Sequence, residues 1–339
     1  MQYVRLGNSG LKAFRIILGI MSYGSSSWQR SVLGEEEAIK HLKFAYDHDI
    51  TTFDTANAIK QLNLPREELA IMTKLFFPVI ADMSVVTVHK KPEELGVINQ
   101  RGLYRKHIFD SVKASLKRLQ LDDVVVLRCH RFDYETPLEE TMQALHDVVN
   151  AELVRCVGMR ACYAYQSDYL KRTDYAIEHD LTSFISMQNH DSLAYREEEG
   201  EMFPTLKQFG VGSIPWSHLA RGLLTPPLDV QSTRGSWSRR VEKLAKRKNA
   251  TMAQVALAWI LSKPGVSALI IGTTSIKNLE DLLGAFNAKL SEDEIKYSYT
   301  PMPIVEHPKS TCNVVVMEVH GSTLGARSTT CRPGLASRE

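Results

Sequence analysis

Short β-type runs alternate with longer amphipathic stretches from about residue 15 to 286, and that alternation limits the fold more than any other property of the chain. Strand candidates lie at 16–19, 51–54, 70–74, 124–130, 155–158, 184–188, 211–215 and 268–272. Amphipathic segments fill the intervals at 35–49, 106–119, 138–151, 167–179, 198–209 and 252–262. Consecutive parallel strands need crossovers of this kind, and eight of them can close. The expectation is an α/β chain folded as a (β/α)8 TIM barrel. An open doubly wound sheet is the rival, but its dinucleotide fingerprint, GxGxxG, does not follow the first strand. Ahead of that strand, Val4-Arg5-Leu6 and Leu11-Lys12-Ala13 flank Gly7-Asn8-Ser9-Gly10. This pattern predicts a β-hairpin, placed to plug the bottom of the barrel.

The crossovers are unequal. Only residues 55–69 separate the second strand from the third, and Pro65 shortens the usable part further. A crossover needs at least ~10–12 residues, so closure is feasible with a truncated second helix of about two turns at 58–64. Two connections are long. Residues 76–105 should run over the ligand face, and 219–238, with Gly222, Pro226, Pro227 and Gly235, should form a mobile loop. The pattern ends near Pro308. Residues 1–308 are therefore expected to form the barrel and 309–339, rich in Ser, Thr, Gly and Arg, a poorly ordered C-terminal tail.

Composition excludes several functions. The 41 basic and 39 acidic residues are interspersed and leave a net charge of +2, which gives no reason to expect nucleic acid. No stretch approaches the ~20 apolar residues of a membrane span, and the first residues lack the apolar core of a secretory signal. Five cysteines, none in CxxC spacing, support neither a metal site nor a disulfide framework. A reduced, cytoplasmic protein is expected.

Three ionisable side chains sit where buried strands should stop: Asp54 after Thr52-Phe53, Lys74 after Ala70-Ile71-Met72-Thr73, and His130 after the run from Val124 to Cys129. Strand ends of a parallel barrel converge on one face, the face that binds ligands. A carboxylate, an ammonium and an imidazole should therefore meet in space. Alone, Asp54 at a strand end also fits a helix cap.

The segments Tyr3-Val4-Arg5-Leu6-Gly7-Asn8-Ser9-Gly10-Leu11, Phe53-Asp54-Thr55-Ala56, Ile71-Met72-Thr73-Lys74, His130-Arg131-Phe132-Asp133 and Gln188-Asn189 resemble the aldo-keto reductases. So do Pro215-Trp216-Ser217, Leu219-Ala220-Arg221-Gly222 and Gly272-Thr273-Thr274-Ser275, and within that family the chain is most similar to the fungal aryl-alcohol-dehydrogenase-like branch. The resemblance spans roughly residues 1–305. It implies a barrel that binds NADP(H) without a Rossmann domain and reduces aldehydes or ketones, by its branch aromatic or polyketide-like ones, often in secondary metabolism.

Of the family's aspartate, tyrosine, lysine and histidine, Asp54, Lys74 and His130 match. The tyrosine does not: where the family reads roughly Asp-Thr-Ala-x-x-Tyr-Ser, this chain reads Asp54-Thr55-Ala56-Asn57-Ala58-Ile59-Lys60. By the same resemblance Gln188 binds the nicotinamide carboxamide, with Asn189 beside it, and Trp216 stacks on the ring. Ser217, Leu219 and Gly222 line the pyrophosphate. Gly272, Thr274, Lys277, Asn278 and Asp281 receive the adenosine end, where free N–H groups of a helix suit a 2′-phosphate. Ser275 fits equally as a plain helix N-cap. Further departures are Met159-Arg160-Ala161-Cys162 in place of a carboxamide-holding serine pair, and His218 in place of proline.

Carbonyl reduction needs a hydride on carbon and a proton on oxygen. Without the family's phenol, the expected reductase activity falls by ~10²–10⁴-fold, the usual contribution of general acid–base catalysis. Tyr23, in Met21-Ser22-Tyr23-Gly24, is a candidate wall of the substrate pocket or a substitute donor. The alternatives are a catalytically silent NADP(H)-binding barrel and a truncated gene product.

Overall fold

The computed structural model describes residues 3–24, 32–54, 64–164 apart from 81, 83, 84, 86, 88 and 89, and 168–298 apart from 223 and 225–235. Two short strands, β1 (Tyr3–Arg5) and β2 (Lys12–Phe14), pair antiparallel. Eight more follow: β3 (Ile16–Gly19), β4 (Thr52–Asp54), β5 (Ala70–Leu75), β6 (Val124–Cys129), β7 (Val154–Arg160), β8 (Phe184–Gln188), β9 (Gly212–Ser213) and β10 (Leu269–Ile271). They form one parallel sheet in the order β10-β3-β4-β5-β6-β7-β8-β9. Its two ends meet. Parallel bridges pair Ser213 with Val266 and Trp216 with Ile270, and the Ile270 N–H donates to the Pro215 carbonyl at 3.0 Å. The ring is thereby closed, and the expected (β/α)8 barrel with its N-terminal hairpin is the observed fold.

Helices α1 (Glu35–Asp47), α2 (Arg105–Leu119), α3 (Leu138–Asn150), α4 (Asp168–Glu178), α5 (Met202–Phe209), α6 (Ser236–Lys248), α7 (Met252–Leu261), α8 (Ile276–Leu283) and α9 (Glu292–Ser298) supply the crossovers and the outer layer. The truncated second helix expected at 58–64 falls almost wholly outside the described residues, and Arg66–Glu68 just after it is a single 3₁₀ turn. The tail at 309–339 also lies outside them.

Two boundaries differ from the sequence reading because of proline. The expected helix at 198–209 begins only at Met202, and Glu197–Glu199 forms a separate 3₁₀ turn. Pro204 has no N–H and is tolerated only in a helix's first turn, so a start at 198 would bury it mid-helix. In the run 211–215 only Gly212 and Ser213 pair as a regular strand, since Pro215 cannot donate to a ladder. One side of α6 is solvated, with Arg239 and Lys243 exposed. Its other side docks on α9, where Lys248 bonds Glu294 at 2.7 Å and Arg240 and Arg247 lie over Tyr297.

The period of two along each strand separates two cores. Ile16, Leu18, Phe53, Ile71, Leu127, Val157, Met187 and Leu269 face the helices in one large apolar cluster. Ile17, Met72, Val126, Ile214, Ala268 and Ile270 fill the lumen together with Leu6 and Ala13 of the hairpin. The hairpin thus plugs the bottom of the ring. Gly7 has φ +59° and lies so close to Gly210 that any Cβ would strike the Gly210 carbonyl.

Candidate active site

Alternation within the strands decides which side chains reach the upper lumen. With Phe53 facing outward, Asp54 faces in; Met72 and Lys74 share the inner face of β5, as Val126 and Arg128 share that of β6. Strand pairing sets Lys74 opposite Arg128, Arg128 opposite Gly158, and Arg160 opposite Gln188. The result is a ring of polar groups at the carboxyl ends of β4 to β8.

Asp54 is the hub. Lys74 Nζ donates to Oδ1 at 2.6 Å and to Oδ2 at 2.5 Å, Arg128 Nη2 donates to Oδ1, and Gln188 Nε2 reaches Oδ2 at 3.4 Å. Burial alone would push the Asp54 carboxyl up. Arg128 and then Lys74 more than reverse this, and the carboxyl lies far below the usual carboxylate range. Burial is also the main influence on Lys74, lowering it to about 8 with help from Arg128 and Arg160, while Asp54 pulls it back up. His130 is held well below its ordinary value, first by burial and then by Arg160, Lys74 and Arg131, against a weaker opposing pull from Asp54. It is a neutral imidazole, set edge-on to Phe77 with ring centroids 5.1 Å apart. The three residues singled out from strand ends therefore do share one environment.

Arg128 is the group that sequence reasoning missed. It is fully buried, with Nε and Nη1 unbonded, and Asp54 is the acceptor for its Nη2. Its parity was the available signal: an arginine two residues before a strand-end histidine, between outward-facing Leu127 and Cys129, must point into the ring. Gly158 makes space for it, since a Cβ there would lie 2.9 Å from Arg128 Cγ and 2.6 Å from Ser186 Oγ.

Gln188 is buried and its Oε1 has no partner. A carboxamide N–H₂ is a donor of the kind that this orphan acceptor lacks, so the residue fits a nicotinamide. Trp216 is stacked on His190, centroids 4.8 Å apart, and the Arg160 guanidinium lies 4.7 Å from its ring centre. Asn189 accepts from the Ala161 N–H at 3.0 Å and donates to Glu198. Ser217 opens a turn whose Ala220 N–H returns to it at 2.8 Å, and Gly222 donates to Leu219 at 3.0 Å with φ +91°. Phe76 and Ala161, each just past a strand end, and Ser217 and Ala220, in the loop after β9, are non-glycine residues with positive φ. Such strain persists where surrounding structure imposes it, typically at functional sites. His218 is buried and pushed down to about 3 by burial and His190, so it is uncharged.

At the far end, Gly272, Thr274, Lys277 and Asn278 are exposed around the start of α8. Ser275 caps that helix by accepting from the Asn278 N–H at 3.4 Å. Asp281 sits one turn on with both oxygens engaged: Thr251 Oγ1 donates at 2.9 Å and Gln254 Nε2 at 3.0 Å. Tyr23 does not join the Asp54 cluster through its hydroxyl, which contacts His41 Nδ1 at 3.0 Å and donates to the Thr273 carbonyl at 3.1 Å; burial pushes its phenol far up. Among the described residues no helix is long and apolar enough to cross a membrane, and no group of three or more His, Cys, Asp or Glu could hold a metal ion.

Comparison with known proteins agrees with the fold. The Aldo/keto reductase family model matches residues 15–298. A Schizosaccharomyces pombe protein that carries the name aryl-alcohol dehydrogenase is 43% identical over an alignment of 347 residues, covering 89% of this chain and 97% of that protein. An aldo-keto reductase of Fusarium vanettenii is 38% identical, covering 90% and 93%. Versiconal hemiacetal acetate reductase of Aspergillus parasiticus is 38% identical, covering 91% and 99%.

Proposed function

The chain belongs to the aldo/keto reductase family, and on that premise we propose that it is an NADP(H)-dependent oxidoreductase reducing an aldehyde or ketone to an alcohol. The observation that carries this is the shared environment of Asp54, Lys74 and His130 beside the unbonded Gln188 Oε1. Bound NADPH would supply the hydride. Gln188 would hold its carboxamide, the turn from Ser217 to Gly222 its pyrophosphate, and Lys277 with the first N–H groups of α8 its 2′-phosphate. The chain's own part is to orient the carbonyl by hydrogen bonds from His130 and Lys74 and to exclude water. Phe76 and Phe77 beside His130 suit a planar, aromatic substrate. The relatives named for an aryl alcohol and for versiconal hemiacetal acetate point the same way.

One observation favours a silent nucleotide-binding barrel instead. No tyrosine lies between Asp54 and Lys74, and an alignment of 347 residues against a chain of 339 means that this chain lacks residues its relative carries. Calorimetric titration with NADPH and NADH, paired with turnover of benzaldehyde, separates the readings. Tighter binding of NADPH with measurable turnover is the expected result. Binding without turnover selects the silent barrel, and the absence of both overturns each reading.

A further inference from the structure

We propose that Lys74 is itself the proton donor to the carbonyl oxygen, and that Arg128 is the positioning residue that frees it for that role; this rests on the carbonyl-reductase reading above. The interval from Asp54 to Lys74 holds no tyrosine, Tyr23 spends its hydroxyl on Thr273 and His41, and His130 is neutral. Among the described groups around Asp54, Lys74 remains, and its side chain is 18% exposed, against 5% for Asp54 and 0% for Arg128. Of the two cations on Asp54, only Lys74 has any exposed side-chain surface.

In a plain buried Asp–Lys pair, a lysine that loses its proton leaves a carboxylate alone in the interior, which is strongly unfavourable. Here the carboxylate has a second cation. Arg128 is permanently charged and bonded to Oδ1. When Lys74 becomes a neutral amine, Asp54 and Arg128 remain as a compensated pair. Arg128 also works directly on Lys74, since a neighbouring like charge favours the neutral amine. The groups that face Lys74 are Asp54 on β4, Arg128 on β6, His130 just past it, and Arg160 on β7, with Gln188 of β8 bonded to the same carboxylate. Their balance, with burial, brings the ammonium to about 8 rather than its ordinary value.

The step balances. With bound NADPH supplying the hydride to the carbonyl carbon, the oxygen would take one N–H proton from Lys74, leaving the alcohol, NADP⁺ and a neutral Lys74 amine. Water at the mouth restores the ammonium.

The test has two readouts. Acetic anhydride labelling of Lys74 across pH, followed by mass spectrometry, should give a midpoint near 8 in the parent. Arg128→Gln should raise that midpoint by about 1 unit, and Arg128→Lys, which keeps the charge, should leave it close to the parent's. The pH profile of kcat/KM for benzaldehyde reduction should show an alkaline limb at the same midpoint, shifted upward in Arg128→Gln. Lys74→Arg keeps the charge but releases no proton, and should lower kcat by ~10²–10⁴-fold while NADPH still binds. A parental labelling midpoint near ~10.4, the ordinary lysine value, overturns the proposal. So does a Lys74→Arg variant as fast as the parent, or an Arg128→Gln variant that loses activity without moving the limb; each leaves the reductase reading standing. Loss of both nucleotide binding and turnover in the parent removes that reading, and the proposal with it.

Discussion

Asp191 lies just past the end of β8, fully buried, with neither carboxylate oxygen hydrogen-bonded. Burial pushes its carboxyl up to about 8; Lys263 opposes this, and Glu199 and Glu198 reinforce it. Its neighbour Glu198 is raised to about 7, again mainly by burial, although the Asn189 amide favours its charged form. The sign of the pH dependence follows. The folded chain keeps protons on these groups that the unfolded chain releases from about pH 4 upward, so their cost to stability is small in acid and grows as pH rises toward 8. Asp191→Asn removes the ionisable group at nearly constant volume. Its melting temperature relative to the parent should therefore increase from pH 5 to pH 8, and an offset that is the same at every pH would refute the buried-acid account. Nothing in the sequence marks Asp191, since burial is set by elements that come from elsewhere in the chain. Arg128 was legible in principle, because strand parity alone directs it inward.

Elements were easier to read than their ends. The eight inner strands follow from apolar runs whose alternation survives at both ends, and the long amphipathic helices follow from their period. What the sequence did not show was how short or polar segments become elements through contact. The seven-residue α9 is fixed by charges and guanidinium–ring contacts from α6, which no local pattern in α9 announces. The start of α7 is the opposite case, where local chemistry is complete. Thr251 accepts from the Gln254 N–H while the Gln254 side chain accepts from the Thr251 N–H, a capping box. The same two side chains then grip Asp281 of α8. Thr251→Ala removes the cap and one of the bonds to α8, and should cost about 1 kcal/mol. In a chain of this size that is a fall of about 1–2 °C in Tm. A variant that melts with the parent would show that the cap is redundant with the packing of Trp259 and its apolar neighbours.

The whole molecule depends on closure, at the side by the bridges between β9 and β10 and at the bottom by the hairpin. Side closure could be anticipated from the count of eight strands, because an open sheet would leave two long edges exposed. Bottom closure is where the hairpin's two glycines part company. Gly7 adopts φ +59° and is pressed on the backbone of residues 210–212, whereas a Cβ on Gly10 would meet nothing within 4 Å. Alanine at position 7 must therefore both enter the left-handed region and push the hairpin off the Gly210 carbonyl, to which Asn8 donates at 2.7 Å. Displacing the hairpin would also pull Leu6 away from Ile17, Val126 and Ile270 in the lumen. Backbone strain and lost core packing are among the mechanisms behind the largest single-site effects, and Gly7→Ala should cost about 3 kcal/mol or more in urea unfolding. Gly10→Ala, in the same turn, should stay within about 0.5 kcal/mol of the parent, as an unconstrained surface change does. The pair controls for the turn itself. If both variants unfold at the parent's urea midpoint, the hairpin decorates the barrel rather than sealing it, and the lumen must draw its stability from the eight strands alone.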